Sequence, residues 1–170
     1  MGSITVGKYA GFCFGVKRAV DKVRSLTDGS DGGIRFYTTG ELIHNPDIVS
    51  GLRRKGVIPA SEDELREICA GEPDGIRRTI VIRAHGVTKG LSDLLAARAA
   101  ADPLFAVEDC TCPYVKKIHR IVDENTSLET LTAILGDEGH PEVRGICSYV
   151  KGEYAVGETA EELCDKIRLY

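Results

Sequence analysis

The sequence contains no tryptophan, and aromatic residues make up only 6% of its 170 positions. Proteins that bind single-stranded nucleic acids usually combine stacked aromatic side chains with a basic groove. This chain is poor in both, because its net charge is −4 and its basic residues form only short, scattered runs. We therefore expect no nucleic acid partner.

Long apolar runs are also missing from the sequence. No segment approaches the ~20 consecutive apolar residues that a membrane-spanning helix needs. The first residues lack the basic and then apolar pattern of a secretory signal peptide. We therefore expect a cytoplasmic protein with no membrane partner.

Short apolar stretches alternate with helical patterns along the chain. Runs of β-branched residues predict strands, and apolar residues spaced three or four apart predict helices. Strands are predicted at residues 4–7, 35–38, 79–83, 104–107, 131–135 and 154–156, and helices at 15–26, 47–55, 61–71, 88–101, 113–123 and 159–167, with a short one near Pro141. Strands joined by helices pair in parallel, so we predict an α/β layered fold with mostly parallel sheets. A change in composition divides the chain into a first unit, residues 1–112, and a second unit, residues 113–170.

Two distant cysteines carry the most chemical information in the sequence. Cys13 and Cys112 each lie where a predicted strand ends and a helix begins, and Pro113 suits the first turn of a helix. The N-terminus of a helix presents backbone N–H groups and a positive dipole, which favour a thiolate. Thiolates held in this way suit a metal ion or an iron–sulfur cluster. We therefore predict that Cys13 and Cys112 are metal ligands that meet at one edge of the sheet.

The other cysteines leave further interpretations open. Cys110 and Cys112 could together chelate zinc in a zinc or thiol-redox binding module, although one such pair is a weak zinc signal. Cys69, Cys147 and Cys164 lie in helical patterns and are interpreted as buried small hydrophobic residues. A third interpretation is an inactive remnant that folds without a metal.

Three of the four histidines follow predicted strands, namely His44, His85 and His140. Because the carboxyl ends of parallel strands meet at one edge of a sheet, these side chains should lie near each other. Imidazole N–H groups and nearby backbone amides can donate hydrogen bonds to phosphate oxygens. We therefore predict an anion site at this edge. The fourth histidine, His119, lies within a predicted helix and is expected to be structural or solvent-facing.

Glu142 follows His140 by two residues. A general acid needs a carboxyl group that burial or a nearby anion keeps protonated, and a bound diphosphate would provide that environment. A surface glutamate at the start of a helix explains its position equally well. The two interpretations stay open on this residue alone.

Five stretches of the sequence together resemble the LytB family of 4-hydroxy-3-methylbut-2-enyl diphosphate reductases. They occur in the family's order and at similar spacing, and the resemblance covers essentially the whole chain. The stretches are residues 10–16, 40–45, 83–87, 109–113 and 139–143.

The resemblance implies an iron–sulfur oxidoreductase of isoprenoid biosynthesis. Its reaction would be the reductive dehydroxylation of 4-hydroxy-3-methylbut-2-enyl diphosphate to isopentenyl and dimethylallyl diphosphates, in the methylerythritol phosphate pathway. A [4Fe–4S] cluster would be held by three cysteines, two of them Cys13 and Cys112. A ferredoxin or flavodoxin would supply the electrons.

The resemblance also implies roles for the histidines and the glutamate. His44 and His85 would bind the diphosphate, and His140 would lie near the alcohol of the substrate. Glu142 would deliver protons. His140 and Glu142 are thus the expected catalytic residues.

The family fold consists of three similar three-layer α/β units around the cluster, and this chain matches two of them. The second unit is expected to be incomplete, and no stretch matches the motif of the third ligand cysteine. We therefore expect a truncated form of the enzyme, with a defective cluster and little turnover when it is isolated.

Overall fold

The computed structural model describes residues 2–8, 10–30, 32–43 and 45–170. Helices α1 to α7 span Phe14–Asp28, Pro46–Arg54, Glu62–Ala70, Lys89–Ala101, Pro113–Asn125, Pro141–Cys147 and Ala160–Ile167. Strands β1 to β6 span Ile34–Thr39, Val57–Ala60, Arg77–Ile82, Phe105–Asp109, Leu131–Leu135 and Glu153–Gly157. None of these helices has the length and apolar character needed to cross a bilayer.

The strands form two sheets in which every pairing is parallel. The larger sheet has the order β2-β1-β3-β4, and the smaller one pairs β5 with β6. The predicted α/β class with parallel strands is therefore confirmed. The two sheets lie on either side of the predicted unit boundary at residues 112–113, and the boundary itself stays a prediction.

Helices cover both faces of the larger sheet. Side chains alternate along a strand, so neighbouring residues of β3 face opposite layers. Val81 packs on one side with α1 and α2, whereas Ile80 and Ile82 pack on the other side with α3 and α4. All three are buried. This arrangement gives the three-layer unit and explains the continuous apolar run of β3.

Two differences from the predicted elements concern strands. The strand predicted at residues 4–7 is wrong, because this segment pairs with no described strand and leaves Ile4 and Val6 93% and 75% exposed. An apolar run without a ladder partner does not form a strand. In contrast, β2 was not predicted, since it is short and contains Pro59. A proline is tolerated there because β2 lies at the edge of the sheet.

Candidate metal and anion site at the sheet edge

Cys13 and Cys112 occupy equivalent positions in the structure. Cys13 is the N-cap of α1, and Cys112 is the N-cap of α5. Neither side chain makes a capping hydrogen bond to its own helix. Cys13 is exposed and Cys112 is half-buried. Each thiol thus lies at the N-terminus of a helix and does not cap it. The predicted strand before Cys13 is not present, because residues 2–8 do not form a strand.

The sulfur of Cys112 lies against the first turn of α1. A Cβ atom added to Gly15 would be 2.9 Å from the Sγ atom of Cys112 and 3.0 Å from its Cβ atom. Only glycine permits this approach, and Gly15 is two residues from Cys13. The structure therefore brings together the neighbourhoods of the two cysteines that the sequence predicted as ligands.

Hydrogen bonds on both sides of Cys112 explain this placement. The Cys112 N–H donates to the carbonyl of Ala84, at 2.9 Å, and so extends the pairing of β3 and β4 beyond the strand ends. On the other side, Nη2 of Arg18 in α1 donates to the carbonyl of Thr111, at 2.7 Å. The segment before α5 is thereby fixed to both the sheet and α1.

Cys110 has a different environment from Cys112. Its N–H donates to the carbonyl of Ile82, at 3.0 Å, and its side chain packs in the core beside Ala19 and Val20. It is only 4% exposed, and burial raises the pKa of its thiol. A zinc ligand must be a thiolate, so this burial disfavours the alternative in which Cys110 and Cys112 chelate zinc.

The remaining cysteines differ in burial. Cys69 is buried in the core between α3 and α4, as expected for a small hydrophobic residue. Cys147 is half-buried, and burial raises the pKa of its thiol. Cys164 is exposed on α7, so its predicted burial is wrong. The helical pattern of α7 misled the prediction, because this helix covers only a two-stranded sheet and has no fully buried residue.

Two of the described residues are of the type that an iron–sulfur cluster needs. Cys13 and Cys112 fit, because cysteine thiolates are the ligands of iron–sulfur clusters and both belong to one edge of the fold. Among the described residues, no group of three or more His, Cys, Asp or Glu side chains is arranged to hold a metal ion. Within the described part of the chain, the two thiols thus do not form a complete ligand set.

His85 and His140 lie next to each other. Their ring centroids are 5.8 Å apart, and the rings are perpendicular. His85 follows β3, where the chain turns at Gly86 with a φ of +77°. His140 is the N-cap of α6, after the first strand of the smaller sheet. The predicted anion-binding residue His44 lies outside the described residues.

The backbone of α6 sets the orientation of His140. The Glu142 N–H donates to Nδ1 of His140, at 3.2 Å. Because Nδ1 accepts this hydrogen bond, a neutral ring carries its proton on Nε2, where it can be donated to a ligand. Glu142 is half-buried in the first turn of α6. This burial favours the interpretation of Glu142 as a site residue over that of a fully solvated surface glutamate.

His119 contacts both histidine-bearing segments, which the sequence did not reveal. It is only 6% exposed, and its ring stacks on Tyr149 with centroids 4.4 Å apart. A Cβ atom on Gly86 would lie 3.0 Å from its Cε1 atom, and one on Gly145 would lie 3.2 Å from its Nε2 atom. His119 therefore packs between the turn after His85 and α6. Its expected role is structural, and it does not face solvent.

The burial of His119 predicts a pH dependence of stability. Burial lowers the pKa of His119 below its ordinary value of 6.5, and the carboxylates of Glu142 and Asp109 only partly oppose this shift. The unfolded chain therefore takes up a proton near pH 6.5, whereas the folded chain resists it. The stability contributed by a neutral His119 is present above pH 6.5 and is lost as the pH falls towards the lowered pKa.

Chemical denaturation at pH 7.5 and pH 5.5 measures this effect. The free energy of unfolding of the wild-type chain should fall more between these values than that of the variant His119→Gln, which keeps a polar side chain but does not titrate. Equal losses in the two proteins would show that His119 does not carry the effect.

Comparison with known proteins gives the family of the chain. Residues 4–169 match the family model described as LytB protein. A 4-hydroxy-3-methylbut-2-enyl diphosphate reductase of Thermoanaerobacter sp. (strain X514) is 40% identical over 159 residues, which are 94% of this chain and 51% of the relative. The reductase of Aquifex aeolicus (strain VF5) is 34% identical over 171 residues, covering 99% of this chain and 54% of the relative.

Solved structures agree with this result. A structure of (E)-4-hydroxy-3-methyl-but-2-enyl diphosphate reductase, called the terminal enzyme of the non-mevalonate pathway, superimposes with a TM-score of 0.71 at 32% identity. The match covers 97% of this chain and 54% of that one. The reductase from Plasmodium falciparum has the same TM-score at 23% identity and shows the shared fold. This chain thus spans about half the length of the curated relatives it matches, with 51% and 54% in the two cases above. The chain belongs to the LytB protein family.

Proposed function

We propose that this chain supplies two cluster ligands and part of the substrate site of a reductase acting on 4-hydroxy-3-methylbut-2-enyl diphosphate. The observation that carries the proposal is the contact of the Cys112 sulfur with the first turn of α1, two residues from Cys13. The pair of His85 and His140 supports it, because the rings lie within 5.8 Å of each other. The relatives, which are reductases by name, support the substrate class.

In this proposal, Cys13 and Cys112 hold a [4Fe–4S] cluster together with a third ligand from outside the described set. When bound, the cluster would pass on the donor's electrons one at a time and would supply a Lewis-acidic iron. The overall reaction consumes two electrons and two protons, breaks the allylic C–O bond and releases water. The products are isopentenyl and dimethylallyl diphosphates.

The residues of this chain bind the substrate and move protons. His44 and His85 donate hydrogen bonds to the diphosphate, as charge-assisted donors do for phosphate oxygens. His140 presents Nε2–H towards the substrate alcohol, because its Nδ1 is already occupied by the Glu142 N–H. Glu142 delivers a proton to the departing oxygen from its position in the same helical turn.

The proposal also names the electron donor, the cellular compartment and the source of the remaining ligands. A ferredoxin or flavodoxin provides the electrons in the cytoplasm. Since the chain spans about half of its relatives, 51% in one case, the missing ligand and further diphosphate contacts come from the other half of a complete enzyme.

Anaerobic loading of the chain with iron and sulfide tests this function. The expected result is uptake of both elements with broad absorption towards the blue, in an unstable and incomplete cluster. Stoichiometric zinc in protein purified in air, without uptake of iron, would instead support the zinc module. A folded chain that takes up neither metal would support the inactive remnant.

A further inference from the structure

Arg18 connects α1 to the peptide group that precedes Cys112. It lies about one helical turn after Gly15, so the two residues share the face of α1 that meets Cys112. Nη2 of Arg18 donates to the carbonyl of Thr111, at 2.7 Å, and this carbonyl belongs to the same peptide group as the Cys112 N–H. The guanidinium is therefore held within one peptide group of a proposed metal ligand.

This guanidinium has no counter-ion in the described part of the chain. Arg18 is half-buried, and the ion pairs among the described residues do not include it. Its Nε atom is buried and has no hydrogen-bond partner there. The two carboxylates at the end of β4 pair with lysines instead. Glu108 pairs with Lys22, at 3.0 Å, and Asp109 pairs with Lys116, at 2.5 Å. One positive charge at this edge is thus left unbalanced.

Partly burying a cation without a partner costs free energy, and a nearby anion offsets this cost. Cysteine binds metals as the thiolate, and every electron that enters an iron–sulfur cluster adds further negative charge. We propose that Arg18 is a positioning residue of the site formed by Cys13 and Cys112. It holds Cys112 against α1 and supplies the counter-charge for the thiolates and the group that they bind. In naming that group as a cluster, we rely on the proposed function.

A hydrogen bond without any role of the charge is the alternative for Arg18. In that case, Arg18 would only tie α1 to the segment before α5, and its loss would lower the free energy of unfolding. A counter-charge acts in addition on any anion that approaches the Cys112 sulfur. The reactivity of this thiol towards anions therefore separates the two roles.

Two thiol reagents of different charge measure this effect at Cys112. The chain keeps Cys112 as its only thiol, with serine at position 13 and alanine at positions 69, 110, 147 and 164. Dithiobis-nitrobenzoate is a dianion and dithiodipyridine is neutral, so the ratio of their rates reports the charge and cancels differences in thiol exposure. Arg18→Gln should lower this ratio about threefold at low ionic strength, since a cation several ångströms away attracts the dianion. Arg18→Lys should restore the ratio, because lysine keeps the charge.

The matched control is Arg24→Gln, which removes an exposed arginine further along the same helix. The rate ratio in this control should stay at its starting value. An equal fall in both variants would overturn the proposal, because it would indicate general attraction of the dianion to a basic helix. An unchanged ratio in Arg18→Gln would also overturn it and leave Arg18 with the hydrogen bond alone. If the single-thiol chain fails to fold, the same ratio is read from the Cys112 peptide of the otherwise unchanged chain by mass spectrometry.

Iron loading separates this inference from the proposed function. In chains with all 6 cysteines, Arg18→Gln should retain about tenfold less iron and sulfide than the wild type, as is usual when a residue that supports a metal ligand is lost. Arg18→Lys should retain more than Arg18→Gln. Failure of the wild type to load iron would count against the reductase, and the reagent rates would then decide on Arg18. Equal retention in the wild type and in Arg18→Gln would overturn the role of the counter-charge.

Discussion

Replacing Cys112 with serine is expected to reduce the iron and sulfide retained by the chain at least about tenfold. Even residues that only support a metal ligand typically change metal affinity 10–100-fold, and the loss of a thiolate ligand should cost more. Cys13→Ser should have an effect of similar size, because both sulfurs belong to the same site. Metal and sulfide analysis after anaerobic desalting measures both losses.

Two further variants separate the cluster from zinc chelation. Cys110→Ala should retain the iron of the wild type, because Cys110 is buried in the core beside α1. Cys164→Ser is the neutral control, since its thiol is exposed on α7. If Cys110→Ala lost the metal while Cys13→Ser kept it, the pair Cys110 and Cys112 would be the site, and the cluster assignment would be wrong.

Replacing Gly15 with alanine should lower stability and metal loading together. The added methyl group would meet the Cys112 sulfur at 2.9 Å, which is too close for the two helix starts to remain as they are. Overpacking of this kind costs about 1–3 kcal/mol, and the better helix propensity of alanine returns up to about 1 kcal/mol. We therefore expect a net loss of up to about 2–3 kcal/mol in the free energy of unfolding. Denaturant unfolding measures it.

Gly51→Ala is the matched control for this change. Gly51 lies within α2, and a Cβ atom there would meet only the flexible end of Arg54, at 3.9 Å. The same substitution should therefore stabilise the chain, by up to about 1 kcal/mol. If Gly15→Ala behaved like Gly51→Ala, the close contact between α1 and Cys112 would not exist in solution.

Local signals in the sequence predicted most of the elements. The helix predicted from residue 61 is an example, because Ser61 and Glu64 form a capping box at its start, with hydrogen bonds of 3.2 and 2.7 Å. The segment at residues 4–7 shows the limit of this reasoning. Its apolar and β-branched residues resemble a strand, but strand formation depends on a partner elsewhere in the chain.

The candidate site could be predicted where a cysteine or a histidine lies at the end of a predicted strand or the start of a predicted helix. Cysteines and histidines at element ends gave their approximate location, but sequence spacing gave no distances between them. The sequence does not indicate that Cys110 is buried. Its burial follows from the hydrogen bond between its N–H and the Ile82 carbonyl, which continues the pairing of β3 and β4 past the end of β4. The role of His119 depends on contacts with Gly86 and Gly145, which are distant in sequence. A histidine four residues after the buried Val115 was the one local sign that it faces inwards.

Chemical cross-linking tests most directly whether Cys13 and Cys112 form one site. A variant that keeps only these two thiols is treated with a short bifunctional thiol reagent, under native conditions and in denaturant, and linked peptides are identified by mass spectrometry. The other cysteines are replaced by alanine at positions 69, 110, 147 and 164. Efficient linkage in the folded chain, lost in denaturant, is the predicted result. A folded chain in which both thiols react singly, without a link between them, would contradict the account.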